Sequence, residues 1–374
     1  MNILGPFSRI TFEDINLNSS DQVKEYLLSK GWQPTQWNYK KDGKRCVYDE
    51  KGDKIPTSPK LTEDSYSSVK GDIPSLVARR NVLKHRRSLI ENSKDPENKG
   101  WLSYIRDDGR IEARGVPMAC NTGRWRHSVV TCVPSGDSVY GHELRSLFKV
   151  GDGRVQVGVD AKAIEARCQA HNVMPYTGGE EYAKVLLEGD IHTLNAESFG
   201  CTRNEAKPTF YCSLYGGSAG KIAETLGCSK KRGEELFNQF WEKNTALKEL
   251  KEVLIAEFKS NGGKKGGYIR GLDGRKLFAR SEHSLINLKF QSDGAILFKT
   301  AMVFLFSNWI PKKKLDAHLI LSQHDEHQAD VAEKDVEEYS ALALRSFEVA
   351  GQYYNYRVPI VGDIRVGKNW DTCH

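Results

Sequence analysis

Between Val155 and His171 the hydrophobic period changes once, and that change limits the folds open to the chain. In "VQVGVDAKAIEARCQAH", Val155, Val157 and Val159 recur at every second residue and Asp160 falls on the other strand face, after which the spacing becomes helical. A strand that ends in a carboxylate and runs straight into a helix is a piece of α/β structure. The stretch "AHLILSQHDEHQADV", residues 317–331, has the same character: Leu319, Ile320 and Leu321 lead into His324, Asp325 and Glu326. Carboxylates at the end of an apolar strand need a cation, a partner or water. Taken alone, each is read most plainly as a solvated turn. If the two converge, hard oxygen ligands of this kind suit divalent magnesium shared with a substrate phosphate.

At 374 residues the chain is long enough for one large multi-lobed domain or two to three ordinary ones. Its 55 basic and 49 acidic residues leave a net charge of +6, which suits a polyanionic partner without establishing one. The 8 cysteines include no CxxC pair, so neither a zinc site nor a disulfide framework is expected. The opening residues lack a basic segment followed by an apolar one, and the most apolar run, "AILFKTAMVFLF", is short and holds Lys299. The expectation is a reduced, cytoplasmic protein without a leader or membrane span.

Residues 38–72 are polar and rich in Gly and Lys. A helical pattern follows, with Leu76, Leu83 and Ile90 at heptad spacing as its apolar stripe and Arg79, Arg80, Arg86 and Arg87 largely elsewhere on the surface. Such a basic helix reads equally as a nucleic-acid contact or a solvated face. From Trp101 onward strand-like and helical pieces alternate without repeats, as in one integrated α/β unit. "YIRGLDGRKLFAR" reads as a hairpin turning at Asp273 and Gly274. "NLKFQSDGAILFKTAMVFLFSNW" reads as a largely buried helix ending near Pro311, with "PKKKL" a solvated basic loop after it.

In "RNEAKPTFYCSLYGG", Arg203, Lys207, Tyr211 and Tyr215 recur every four positions, so on a helix they form one stripe that drifts by about 40° per step. Arg and Lys bind phosphate oxygens, and Tyr stacks on a base or packs against a sugar. An amphipathic helix with aromatic anchors is the plainer alternative. Pro208 removes an interior hydrogen bond, so the helix either begins close to Lys207 or kinks there.

In chain order, "VDAKAIEAR", "RNEAKPTFYCSLYGG" and "QHDE" resemble the A, B and C motifs of family A DNA polymerases, and the phage-replicase branch is the closer likeness. Smaller matches are "NTGRWRH", "YGHELRSLF", "LEGDIHT", "IRGLDGRK", "QSDGA" and "VGKNW". The likeness runs from about Gly5 to His374, diffuse before Trp101 and dense after it. It implies an α/β (α+β) right-hand architecture with an antiparallel palm sheet, helical fingers and a partial thumb. The expected parts are 1–100 as partial thumb and connecting segment, 101–175 and 281–374 as palm, and 176–280 as fingers.

By the same resemblance, Asp160, the Ala161 backbone carbonyl and Asp325 hold two magnesium ions, with Glu326 supporting them. His192, Arg203 and Lys207 clamp the incoming deoxynucleoside triphosphate, and Lys207 also protonates the departing pyrophosphate. Glu165 and Tyr211 close the pocket under the sugar and exclude ribose, with Tyr at 211 in place of Phe implying ready use of dideoxynucleotides. Tyr215 packs near the templating position. Arg124, Gln291 and His324 contact primer-template DNA in the minor groove or at the primer terminus. One departure stands out: "HSVVTCVP" lacks the Gln that phage replicases usually carry shortly before that proline.

Replicases of this type carry a proofreading exonuclease and the start of the thumb ahead of the "GPF" segment, where this chain has four residues. The expectation is a naturally split enzyme whose second polypeptide carries both, with a truncated or minimal enzyme as alternatives. A non-catalytic DNA-binding subunit would leave Asp160 and Asp325 beside Lys207 unexplained. A metal-dependent nuclease would not need the four-step stripe, and in a single-subunit RNA polymerase the Glu165 and Tyr211 pair would oppose ribose.

Overall fold

The computed structural model describes residues 14–43, 45–47, 49, 55–92 and 100–374, so Gly5, Pro6 and Phe7 of the "GPF" segment lie outside the described residues. The chain forms two compact units, 1–111 and 112–374.

In the first unit the helix Ser20–Ser29 starts where the Ser19 hydroxyl accepts from the Gln22 amide. It buries Val23 and Leu27 in a small core with Trp32 and Val77. The helix Asp72–Ile90 forms as expected, but its buried face is not the heptad stripe. Leu76 and Leu83 are exposed, while Pro74, Val77, Ala78 and Arg86 are buried. Small side chains at 77 and 78 let the helix approach its neighbours closely. Arg86 is tolerated inside because its guanidinium meets Glu63 at 2.5 Å, so it is not the surface arginine the spacing implied.

The second unit is built on a four-stranded antiparallel sheet. Its order is Ala317–Gln323, Glu326–Ala332, Arg154–Ala161 and Gly362–Gly367. The Asp160 strand is therefore internal, paired with the Asp325 hairpin on one side and the last strand on the other. Val157 and Val159 point into a core shared with Ile164, Leu297, Phe298 and Phe347. On the opposite face Gly158 is required, because a Cβ there would stand 2.0 Å from the Cys373 carbonyl of the C-terminal turn Trp370–Cys373.

The helix Arg203–Leu214 begins at Arg203, not near Lys207. A reciprocal capping box between Thr202 and Glu205 fixes that start and leaves Pro208 inside the helix. The apolar helix also runs further than expected. Leu285–Met302 continues through a π-helical stretch, Val303–Trp309, into Ile310–Lys313. Pro311 lies in the first turn of that last segment, where its missing N–H costs little, and the helix ends at Lys314 with φ of 56°. Lys312 and Lys313 are solvated but helical, which corrects the loop reading. The run Glu282–Lys313 is long and apolar enough to cross a membrane, yet it serves as the core helix of this unit, burying Leu285, Phe290, Leu297 and Phe298. The hairpin Tyr268–Arg270 with Lys276–Phe278 forms as expected, and Gly274 supplies its left-handed residue at φ of 79°.

Gly158→Ala should cost about 1–3 kcal/mol by overpacking a backbone carbonyl that has no free rotor to yield. Urea unfolding measures this; a change within about 0.5 kcal/mol would mean that the C-terminal turn is not held against the sheet.

Candidate active site

The two acidic strand ends meet. The Ala161 amide donates to the Asp325 carbonyl at 2.9 Å, extending the ladder by which Asp160 opposes Glu326 in register. His324 and Asp325 form the two-residue turn of the hairpin, and His324 takes a left-handed φ of 57°. That conformation is uncommon for a residue with a side chain and puts Asp325 at the sheet edge beside Asp160.

Asp160 keeps contact with solvent, yet its partial burial, then the nearby Asp325 and Glu326, push its carboxyl up to about 6. Burial likewise raises Asp325, opposed by Arg124. Among the described residues no hydrogen bond or ion pair reaches the Asp160 carboxylate, and no group of three or more His, Cys, Asp or Glu side chains is placed to hold a metal. Two under-compensated carboxylates beside a backbone carbonyl are hard oxygen donors, and they fit a divalent cation whose remaining ligands are water or substrate.

Glu326 faces away from that role. Its carboxylate accepts from Trp370 Nε1 at 3.0 Å and pairs with His374 Nδ1 at 2.7 Å. Burial alone would raise its pKa, but bonds from His374, Gln328 and Trp370 hold it below the usual range. Support of the site through the C-terminal turn is what this arrangement allows.

A cavity of about 290 Å³ opens beside Asp325, lined by Glu165, Ile191, His192, Phe210, Tyr211 and Tyr215 among others. The capping box starts the 203–214 helix, and the aromatic end of its stripe, Tyr211 and Tyr215, lines this cavity. Tyr211 stacks on Tyr215 at 5.9 Å and 23°, and the His192 ring lies 5.4 Å from Tyr211. Glu165 lines the same cavity as Tyr211, but its hydrogen bonds go elsewhere: Tyr215 donates at 2.8 Å and Arg124 at 2.6 Å. The expected pair shares a cavity and is bridged by Tyr215.

Lys207 is exposed and has no acidic partner among the described residues. Arg203 is held by Asp190, Nε to Oδ2 at 2.8 Å. Asp190 also caps the helix Ile191–Phe199 by accepting from the His192 and Thr193 amides, so one carboxylate orients two helix starts. Burial lowers the His192 pKa, and its Nδ1 is buried without a partner. Gln291 lies on the core helix, away from the cavity lining, half-buried.

Three neighbours escaped the sequence reading. Asp190 was legible as an N-cap ahead of "IHT". Asn287, with a buried and unpartnered Oδ1, stands four residues before Gln291 on the same helix face. Lys299 donates to the Gly123 carbonyl and lies 5.3 Å from the Trp125 ring, fastening the loop that carries Arg124. Burial, then Arg275, pull its pKa down to about 8. Only the fold brings it there.

Residues 7–372 match the family described as DNA polymerase family A. The chain is 29% identical over 399 residues to the DNA-directed DNA polymerase of Escherichia phage T7, covering 99% of this chain and 54% of that protein. It is 25% identical to the thermostable DNA polymerase I of Thermus aquaticus, covering 97% of this chain and 42% of that one. The chain thus spans about half the length of these relatives. Its fold matches the POL domain of Pol1 from M. smegmatis, solved in complex with DNA primer-template and dNTP, with a TM-score of 0.72 at 20% identity, covering 96% of this chain and 62% of the other.

The folded chain binds the Asp160 proton more tightly than the unfolded chain, whose carboxyl titrates near 3.8. Metal-free stability from this group is therefore fully present below about pH 4 and is lost as pH rises through about 6. Asp160→Asn should melt higher than the parent at about pH 8 without divalent cations and match it near pH 4. A parent that melts higher at pH 8 would contradict this crowding of carboxylates.

Proposed function

The chain belongs to DNA polymerase family A, and from that premise we propose that it extends a primer 3′-hydroxyl with deoxynucleotides directed by a DNA template. Its α/β right-hand fold is that of the family. The observation that carries the proposal is the meeting of the Asp160 and Asp325 strand ends beside a cavity lined by Asp325, Tyr211 and Tyr215, with Arg203 and Lys207 on the preceding turns of the same helix. The sheet with its flanking segments, 101–175 and 281–374, acts as palm, 176–280 as fingers, and 1–100 as partial thumb.

Asp160, Asp325 and the Ala161 carbonyl would hold two magnesium ions, which when bound lower the pKa of the primer hydroxyl and neutralise the triphosphate and pyrophosphate. Lys207, without an acidic partner among the described residues, meets a phosphate oxygen and gives a proton to the leaving pyrophosphate. Arg203, oriented by Asp190, offers its remaining N–H groups to the same phosphates. His192, whose Nδ1 has no hydrogen-bond partner among the described residues, would meet the triphosphate. Glu165 and Tyr211 occupy the space a ribose 2′-hydroxyl would need, leaving it crowded or unpaired. Tyr215 packs near the templating position once its bond to Glu165 is released. Arg124, Gln291 and His324 contact primer-template DNA, and Glu326 steadies the turn from behind.

The M. smegmatis structure holds a primer-template and dNTP, and the same ligands are proposed here. A second polypeptide carrying the exonuclease and the rest of the thumb is proposed as a partner, and the host cytoplasm as the place of action. A non-catalytic DNA-binding subunit or a nuclease would not need a cavity walled by Tyr211 and Tyr215 next to the carboxylates.

Primer extension with magnesium and deoxynucleotides tests this reading. Asp325→Ala should lower incorporation by about 10³-fold or more while duplex affinity stays within about twofold, because the loss falls on the chemical step. Substantial turnover in that variant would sink the assignment. The parent should also terminate readily with dideoxynucleotides, and Tyr211→Phe should restore discrimination by about tenfold, or ~1.4 kcal/mol; equal discrimination in both would remove Tyr211 from the sugar pocket.

A further inference from the structure

His127 has no role in the scheme above, yet it stands against the Asp325 turn. It lies on the short strand Arg126–Ser128, opposite Gly115 in register. Its ring stacks on Trp125 at 6.2 Å and 19° and meets the His324 ring edge-to-face at 5.7 Å and 77°. Its Nε2 is buried without a hydrogen-bond partner. Gly115 leaves the room this arrangement needs, since a Cβ there would stand 3.0 Å from the Trp125 ring and 3.4 Å from the His127 ring.

The supporting loop is itself anchored. Lys299 from the core helix bonds the Gly123 carbonyl, and Arg124 bonds Glu165 at 2.6 Å. The turn it meets has the opposite character: His324 is exposed, adopts a left-handed backbone and directly precedes Asp325. A two-residue turn with an uncommon first residue persists only where its surroundings over-determine it. Among the described residues, the ring of His127 is the aromatic contact that the His324 ring makes.

We propose that His127 is a positioning residue: by packing against the His324 ring it holds the turn that sets the Asp325 carboxylate beside Asp160. It acts through His324 and needs no contact of its own with nucleotide or metal. The inference rests on the polymerase reading above and adds to it a residue outside the expected set. Misplacing a reacting group by about 1 Å costs up to about 10²-fold in rate. The aromatic contact itself is of the size that double-mutant cycles resolve.

The test is a cycle of His127→Ala, His324→Ala and the double variant, with His127→Phe as the ring-preserving control. Each is measured for single-nucleotide incorporation, for primer-template affinity, and for Mn²⁺ binding by loss of the free-ion EPR signal. His127→Ala should lower kcat by about tenfold or more and weaken Mn²⁺ binding by several-fold, with duplex affinity within about twofold. The Phe variant should recover most of both, and His127→Ala should add little in the His324→Ala background. Full additivity of the two Ala variants, or a loss confined to duplex affinity, would overturn the proposal. So would Mn²⁺ binding unchanged in every His127 variant. If His127→Ala does not fold, the Phe variant compared with His127→Gln decides between ring packing and ring nitrogen. An inactive parent would instead count against the polymerase reading, and parental activity with silent His127 variants against this inference alone.

Discussion

Two acidic residues must be kept close together although Asp325 raises the cost of ionising Asp160. The 2.9 Å bond from the Ala161 amide to the Asp325 carbonyl enforces this. It ties the end of an internal strand to the turn of the neighbouring hairpin, so the backbone under neither acidic residue moves without breaking a ladder. The four-stranded sheet, the helices behind Val157 and Val159, and the C-terminal turn over Gly158 all hold that one junction. The result is a site under electrostatic strain, with Asp160 pushed up to about 6, that a cation would relieve.

The rest of the site follows a division of labour between rigid and adjustable parts. Asp190 fixes two helix starts with one carboxylate, which leaves Arg203 oriented and Lys207 free. Tyr215 stands at the end of its helix with its hydroxyl on Glu165, a single bond that opens more easily than a ladder. Aromatic faces at 192, 211 and 215 then give the cavity walls that pack without fixing a hydrogen-bond direction.

Where local pattern and structure differ, the cause is a contact, a cap or a helix irregularity that residue spacing does not count. Leu76 and Leu83 keep a helical spacing but stay exposed, because the small Val77 and Ala78 pack better and Glu63 satisfies Arg86 inside. Pro208 is carried within a helix whose start is fixed five residues earlier by Thr202 and Glu205. The apolar helix outlasts Pro311 because a π-helical stretch places that proline in a fresh first turn. Spacing rules count residues along the chain. They do not see the partner that makes an unfavoured residue tolerable.

The strand ending at Asp160, the apolar strand running into a polar turn at His324 and Asp325, the four-step stripe and the ordered motifs were legible in the sequence, because each is a local pattern with a fixed period or a short exact spacing. That Asp160 and Asp325 converge, that Glu165 pairs with Arg124 and Tyr215, that Glu326 is claimed by His374, and that Lys299 and His127 brace the loop and turn around the site were decided by the tertiary structure. These contacts join residues from 41 to 197 positions apart. No local preference encodes such a distance; it is set when the sheet and the core helix close around a common hydrophobic interior.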